Sequence, residues 1–407
     1  MWHLIFLLTL CFSVEILPAQ PGCTDPQALN FNASATSNDG SCVYPTTNYS
    51  PALIAQFPQI LEECSGLAYF DNALWIHEDG GNDDKIFRID TLTGALMQTV
   101  SVANAANIDW EDLAEDAGNL YIGDFGNNNG NRTDLRILRV KKAALPGGVV
   151  APELIKFSYS DQADFTPAPN ANNYDCEAFF FWQDSLHLFS KNWLDFKTRH
   201  YVMPATPGTH VAQLRDSLET QGQITAADIS DDGRVVLLGY NVSTGATFLW
   251  LLFDYPGTRF FKGNKRKISL GNALTTSQTE GIAFSVGGSG YICSERFSLL
   301  PAKLLRFDIA AWTENPSATG KTQPEQGSVQ VYPNPFSGQL AVSFEKNFSQ
   351  KVEVKLTDEW GRVFLSSRSK IAAGEPLILH PAALPPGVYW LTISCEAGAW
   401  GTKVVKQ

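Results

Sequence analysis

The sequence predicts an all-β chain in which a ring of repeated four-stranded units is followed by a small Ig-like β-sandwich. Three observations carry this prediction. Aromatic residues make up 12% of the 407 residues, alongside 32 glycines, 22 prolines and 18% charged residues, a composition suited to strands and turns. No long stretch repeats its apolar residues at the helical period. One pattern, an apolar strand, a turn, a second strand ending in polar residues and then a third strand, recurs five times along the body of the chain.

The first element is an export signal over residues 1–20. Leu4 to Leu10, extended by Cys11 and Phe12, is apolar apart from Thr9, and small or polar residues follow at Ala19 and Gln20. It is too short for a stable membrane anchor, and no later apolar stretch is long enough for a transmembrane helix. Residues 21–48 come next, a segment poor in apolar residues in which Cys23 and Cys42 are expected to form a disulfide that substitutes for a core. Cys64, Cys176, Cys293 and Cys395 sit in apolar strand patterns, and their pairing cannot be read from sequence.

The repeats occupy residues 50–310 and begin at Ser65, Glu111, Glu177, Ala227 and Glu280, spaced 46, 66, 50 and 53 residues apart. Such spacing suits four-stranded β-propeller blades, five by this count with six as the alternative, and the Pro/Asn-rich stretch 166–173 explains the longest interval. Outer strands fall at 95–102, 153–159 and 265–270. The last repeat lacks one, and residues 52–57 are expected to supply it and close the ring, leaving no open strand edge. A linker covers 311–328, and residues 329–407 return to strand patterning.

That last segment carries ordered motifs: Val331-Tyr332-Pro333-Asn334-Pro335-Phe336, Leu356-Thr357-Asp358 with Gly361-Arg362-Val363, Leu384-Pro385-Pro386-Gly387-Val388-Tyr389, and the terminal Lys403-Val404-Val405-Lys406-Gln407. In order and spacing they resemble the type A sorting domain of the type IX secretion system. The resemblance implies that the chain is handled by that machinery through residues 329–407 and ends up secreted or on the outer cell surface. Residues 21–45 resemble a Cys-bounded module of exported Bacteroidetes-type proteins. Trp110-Glu111-Asp112-Leu113-Ala114 followed by Tyr121-Ile122-Gly123-Asp124-Phe125-Gly126-Asn127-Asn128 resembles a motif of secreted propellers, and this likeness implies no defined reaction.

A net charge of −12 argues against nucleic acid as a partner. Nucleophile elbow, zinc helix and phosphate loop are absent, and the six histidines are scattered. What recurs is acid. Glu111, Glu177 and Glu280 share one blade position, and Glu78, Asp124, Lys191, Tyr240 and Glu295 share a second one 13 to 15 residues on. Inner propeller strands line a central channel, so these groups are expected to converge at one mouth, where their mutual repulsion calls for a cation or a basic ligand. Calcium is the expected ion, with Glu111, Glu177, Glu280 and Asp124 as its ligands, because the donors are oxygens. The competing expectation is that the carboxylates cap backbone amides between blades. The propeller therefore reads first as a binding module for an extracellular ligand. The alternative is a metal-dependent hydrolase or lactonase, or a carboxylate glycosidase, at the channel mouth.

Overall fold

The structure, a computed structural model, describes residues 19–313, 329–344, 351–358, 363–370, 376–381, 384–395 and 398–407. The expected signal lies outside these residues except for its last two positions, as does most of the expected linker. The chain divides into two units, Met1–Glu314 and Asn315–Gln407.

The first unit starts with strands β1 (Pro21–Gly22) and β2 (Ser37–Asn38), which pair in parallel around the Cys23–Cys42 disulfide. Next come β3 (Thr47–Asn48) and β4 (Ala52–Gln56). Blade one consists of β5 (Cys64–Phe70), β6 (Ala73–Glu78), β7 (Lys85–Ile89) and β8 (Leu96–Val102). Blade two consists of β9 (Trp110–Glu115), β10 (Asn119–Asp124) and β11 (Arg136–Lys141), then, after the short β12 (Val149–Val150) that extends blade one, β13 (Glu153–Tyr159). Blade three is β14 (Cys176–Trp182), β15 (Ser185–Ser190), β16 (Lys197–Pro204) and β17 (Gly208–Glu219). Blade four is β18 (Gln223–Ile229), β19 (Val235–Tyr240), β20 (Ala246–Phe253) and β21 (Asn264–Asn272). Blade five holds β22 (Gln278–Phe284), β23 (Ser289–Glu295) and β24 (Lys303–Asp308), and β4 completes it by pairing antiparallel with β24.

The inner strands β5, β9, β14, β18 and β22 pack each on the next, and β22 returns to β5, so the ring has five blades. Each blade interface holds one apolar cluster: Trp75, Trp110 and Val140 between blades one and two, and Phe125, Phe157, Phe179 and Tyr201 between two and three. Burying one such side chain stabilises the fold by about 1.5–3 kcal/mol. Blade three differs from the sequence reading by carrying two long outer strands. The second of them, β17, pairs in parallel with β13 and joins blades two and three into one sheet.

All five inner strands share a device that sequence periodicity does not show. Near its start each slips by one residue against its neighbour, between Cys64 and Leu67, around Glu111 and Asp112, and at Glu177, Thr225 and Glu280. Such β-bulges bend the strand and re-aim the extra side chain. They also correct the alignment of the fourth repeat. Its equivalent of Glu111 is Thr225 rather than Ala227, a two-residue shift that leaves the side-chain face unchanged and so is silent in an alternating pattern.

The second unit contains β25 (Val329–Tyr332), β26 (Leu340–Phe344), β27 (Lys351–Asp358), β28 (Val363–Lys370), β29 (Leu377–Leu379), β30 (Gly387–Cys395) and β31 (Gly398–Lys406). Strands β25, β26 and β29 form one sheet, and β28, β27, β30 and β31 form the other. Phe336, Leu340, Val354, Leu356, Leu391 and Val404 fill the core of this Ig-like sandwich. The ordered motifs have a structural reason here. Asn334 accepts from the Val405 amide and donates to the Lys403 carbonyl, the Phe336 amide donates to the Val405 carbonyl and the Gln407 amide to the Phe336 carbonyl, so the first motif fastens the last strand.

Candidate functional site: an acidic propeller mouth

The five bulges lie at the channel mouth where the inner strands begin. Two of their side chains fasten the ring: Ser65 Oγ donates to the Glu111 carbonyl at 2.6 Å, and Thr225 Oγ1 to the Thr279 carbonyl at 2.7 Å. The other three are Glu111, Glu177 and Glu280, all buried. Their pKa values are raised first by burial and then, for Glu111, by Glu177, Asp79 and Asp109. Glu280 is pushed up to about 7 by burial, against the pull of Lys191. Glu177 stands near enough to Glu111 for its charge to help raise the Glu111 carboxyl.

One cation sits among them. Lys191 Nζ lies 3.0 Å from Glu177 Oε1 and close to the Trp193 and Tyr240 rings. It is held as an ammonium by Glu177, Tyr240, Glu280 and Asp175 despite its burial. Asp175 is itself tied down: Oδ1 accepts from the Asn127 amide at 2.6 Å and Oδ2 from Trp193 Nε1 at 2.8 Å. On the far side Gln278 donates to Glu280 and to Glu295, whose pKa burial and Glu280 push up to about 9.

Asp79, Asp109 and Glu111 form a group of their own, each offering an oxygen within 4.8 Å of the others. Among the described residues none of the three is ion-paired. Burial, then Asp79 and Asp175, push the Asp109 carboxyl up to about 6. The wall behind it is bare backbone, since a Cβ on Gly126 would overlap Glu111 Oε1 and the Asp109 carboxyl, and one on Gly80 would overlap Asp109. Glycine is required there by close approach.

Compared with the sequence reading, Glu111, Glu177, Glu280 and Glu295 converge, together with Lys191 and Tyr240. Two expected members do not join them. Asp124 is wholly buried, with Oδ1 3.0 Å from Arg132 and Oδ2 2.7 Å from Arg136, so both oxygens are committed to guanidinium groups. Glu78 is raised to about 7 by burial and by repulsion from Glu63, Asp83 and Glu62 rather than by the central group. The reason is register. Cys64 pairs with Glu78 and Trp110 with Asp124, whereas the corresponding partners in blades three to five are Ser190, Gly239 and Ser294. The position aligned with Lys191, Tyr240 and Glu295 is therefore Asp79 in blade one, and Phe125 in blade two. A one-residue slip moves a side chain to the other face. Asp109 and Asp175 were missed although a signal existed. Each stands two residues before an inner-strand glutamate, the spacing that puts two strand side chains on one face.

The amide-capping expectation applies to other residues. Asp112 accepts from the Leu113, Phe179 and Ala227 amides at 2.8, 3.1 and 3.4 Å, and Asp228 from Ile229 and Phe284 at 2.8 and 2.7 Å. Asp112 so ties blade two to blades three and four, and Asp228 ties blade four to blade five near the opposite mouth. A cavity of about 440 Å³ lies there, lined by Phe70, Glu115, Phe181, Asp228 and Phe284 among others.

Among solved structures the chain is similar to a mannose phosphorylase from Leishmania mexicana, with 11% identity, a TM-score of 0.37 and coverage of 65% of this chain and 89% of that one. It is also similar to an exo-β-1,3-galactanase from Phanerochaete chrysosporium (9%, 0.39, 91% and 92%) and to a gluconolactonase from Xanthomonas campestris (12%, 0.32, 65% and 98%). Likeness at this level carries no argument about activity. No curated protein matches the chain. No helix among the described residues is long and apolar enough to cross a membrane. Residues 330–407 match the secretion system C-terminal sorting domain, and with its motif order and its strand-fastening Asn334 this tail makes the chain a cargo of the type IX secretion system, exported out of the cell.

Proposed function

We propose that the exported propeller is a calcium-dependent binding module that takes its extracellular ligand at the acidic mouth. The observation that carries this reading is the Asp79, Asp109 and Glu111 group, three carboxylates within 4.8 Å of one another and free of any ion pair among the described residues. Their mutual repulsion in a half-buried site is relieved by a divalent ion. The donors are all carboxylate oxygens, which suits calcium over the softer metals. Lys191 neutralises Glu177, and Gln278 engages Glu280 and Glu295, so these three sit beside the ion site and shape the surface that a ligand meets.

Thermal unfolding with calcium and with chelator tests the proposal. Free ion at one hundred times its dissociation constant raises stability by about 2.7 kcal/mol. Asp109→Asn and Glu111→Gln are expected to abolish that rise while the apo fold persists. Superimposable curves for the unmutated protein under both conditions would reject the ion site.

A further inference from the structure

Two buried thiols lie where the ring closes. Cys64 opens β5, the inner strand of blade one, and Cys293 stands on β23 of blade five, opposite Gly281. Both are wholly buried in the apolar cluster between these blades, with Leu67, Ile76 and Leu304. Cys293 Sγ is 3.2 Å from the Ser65 carbonyl, next in chain to Cys64. The Cys64 thiol, pushed up by burial, is raised further by hydrogen bonding to the Cys293 sulfur. Cys176, the third buried thiol, instead faces the Ala178 and Phe189 carbonyls of its own blade.

We propose that Cys64 and Cys293 form a disulfide in the exported protein, a covalent latch between the first blade and the last. The sorting tail places the chain outside the reducing cytosol, where disulfides persist, and the Cys23–Cys42 bond already belongs to the same unit. The Cys293 sulfur lies against the backbone of Ser65, next in chain to Cys64, and both thiols belong to the one cluster that seals blade five to blade one. In the step, a thiolate of one cysteine attacks the disulfide of a thiol–disulfide oxidoreductase, and the second cysteine resolves the mixed disulfide. Two S–H bonds break and one S–S bond forms. Two electrons pass to the oxidoreductase, which leaves as a dithiol. Burial of both sulfurs puts the exchange before blade five docks, and the docked ring then shields the bond from reductant. Hydrogen bonds between β4 and β24 hold the same closure at the outer edge, so the latch would secure its inner side. This inference rests on export and on the thiol geometry, and is independent of the ion site.

Full-length protein exported to the periplasm of a disulfide-forming host, purified without reductant, denatured and alkylated, is then mapped by mass spectrometry. The expected result is a linked pair of peptides containing Cys64 and Cys293, with Cys176 alkylated. Alkylation of both Cys64 and Cys293 in unreduced protein would overturn the latch. In a Cys23→Ser/Cys42→Ser background, protein unfolded, reduced and refolded in reductant is expected to melt on the order of 10 °C below the unreduced protein, because the bond closes nearly the whole propeller into one loop. An unchanged Tm there would count equally against it. Cys293→Ser should leave Cys64 open to alkylation, and should that variant fail to fold, the peptide map of the unmutated protein decides alone.

Discussion

At the scale of single residues, the mouth is a lesson in side-chain parity. Glu78 and Asp79 are adjacent, yet only the second joins Asp109 and Glu111, because the bulge in β5 shifts its partner by one position. The protonation of these groups makes a testable pH dependence. Glu280 sits at about 7 and Glu295 at about 9, raised first by burial, while both ionise near 4.5 in the unfolded chain. Between these limits the folded protein keeps protons that the unfolded chain has released, so stability falls as pH rises. The measurement belongs above pH 6.5, because below it the buried His77 and His187, held down at about 4 and about 3 by burial, pull the other way. In chelator, Tm is expected to decline from about pH 6.5 to 8.5, and calcium is expected to flatten the decline by favouring the ionised carboxyls. A flat profile in chelator would mean that the mouth carboxyls titrate as they do in the unfolded chain.

At the scale of elements, the strand that closes the ring is separated from its blade by nearly the whole unit. β4 precedes blade one in sequence and completes blade five in space, pairing Gln56 with Lys303 and Ala55 with Leu304. Deleting residues 52–56 is expected to leave β24 as a bare edge and to produce concentration-dependent association in light scattering, together with a lowered Tm. A monomeric variant that melts like its parent would show that closure depends on the inner strands alone. This element was legible in the sequence, because the fifth repeat lacks an outer strand and an unassigned apolar run precedes the first. The outer strands of blade three were not. Arg199, Asp216 and Glu219 interrupt the apolar pattern of β16 and β17, and β17 gains its place by parallel pairing with β13, a contact with no local signal.

For the whole molecule, the two units have separate cores and separate tasks. Deleting residues 329–407 is expected to leave a propeller that folds and stays in the periplasm of a host with the type IX system. Fractionation and a melting curve check both halves of this expectation, and normal appearance of the truncated chain outside the cell would remove the sorting role from the tail. The address was legible because its motifs are contiguous and ordered. The ion site was legible only as a recurrence of acid.

The sequence by itself determined the all-β class, the ring of repeats with its borrowed last strand, the Cys23–Cys42 staple and the sorting tail, because strand alternation, repeat spacing and short motifs are local properties of a chain. Only the tertiary structure decided which carboxylates meet. The five bulges re-aim side chains by one position, Arg132 and Arg136 withdraw Asp124 from the mouth, Lys191 enters from blade three to pair with Glu177, and ring closure sets Cys64 beside Cys293. Each of these outcomes depends on contacts between strands far apart in the chain, and a single-residue change of register, invisible in composition, reverses the face on which a side chain stands.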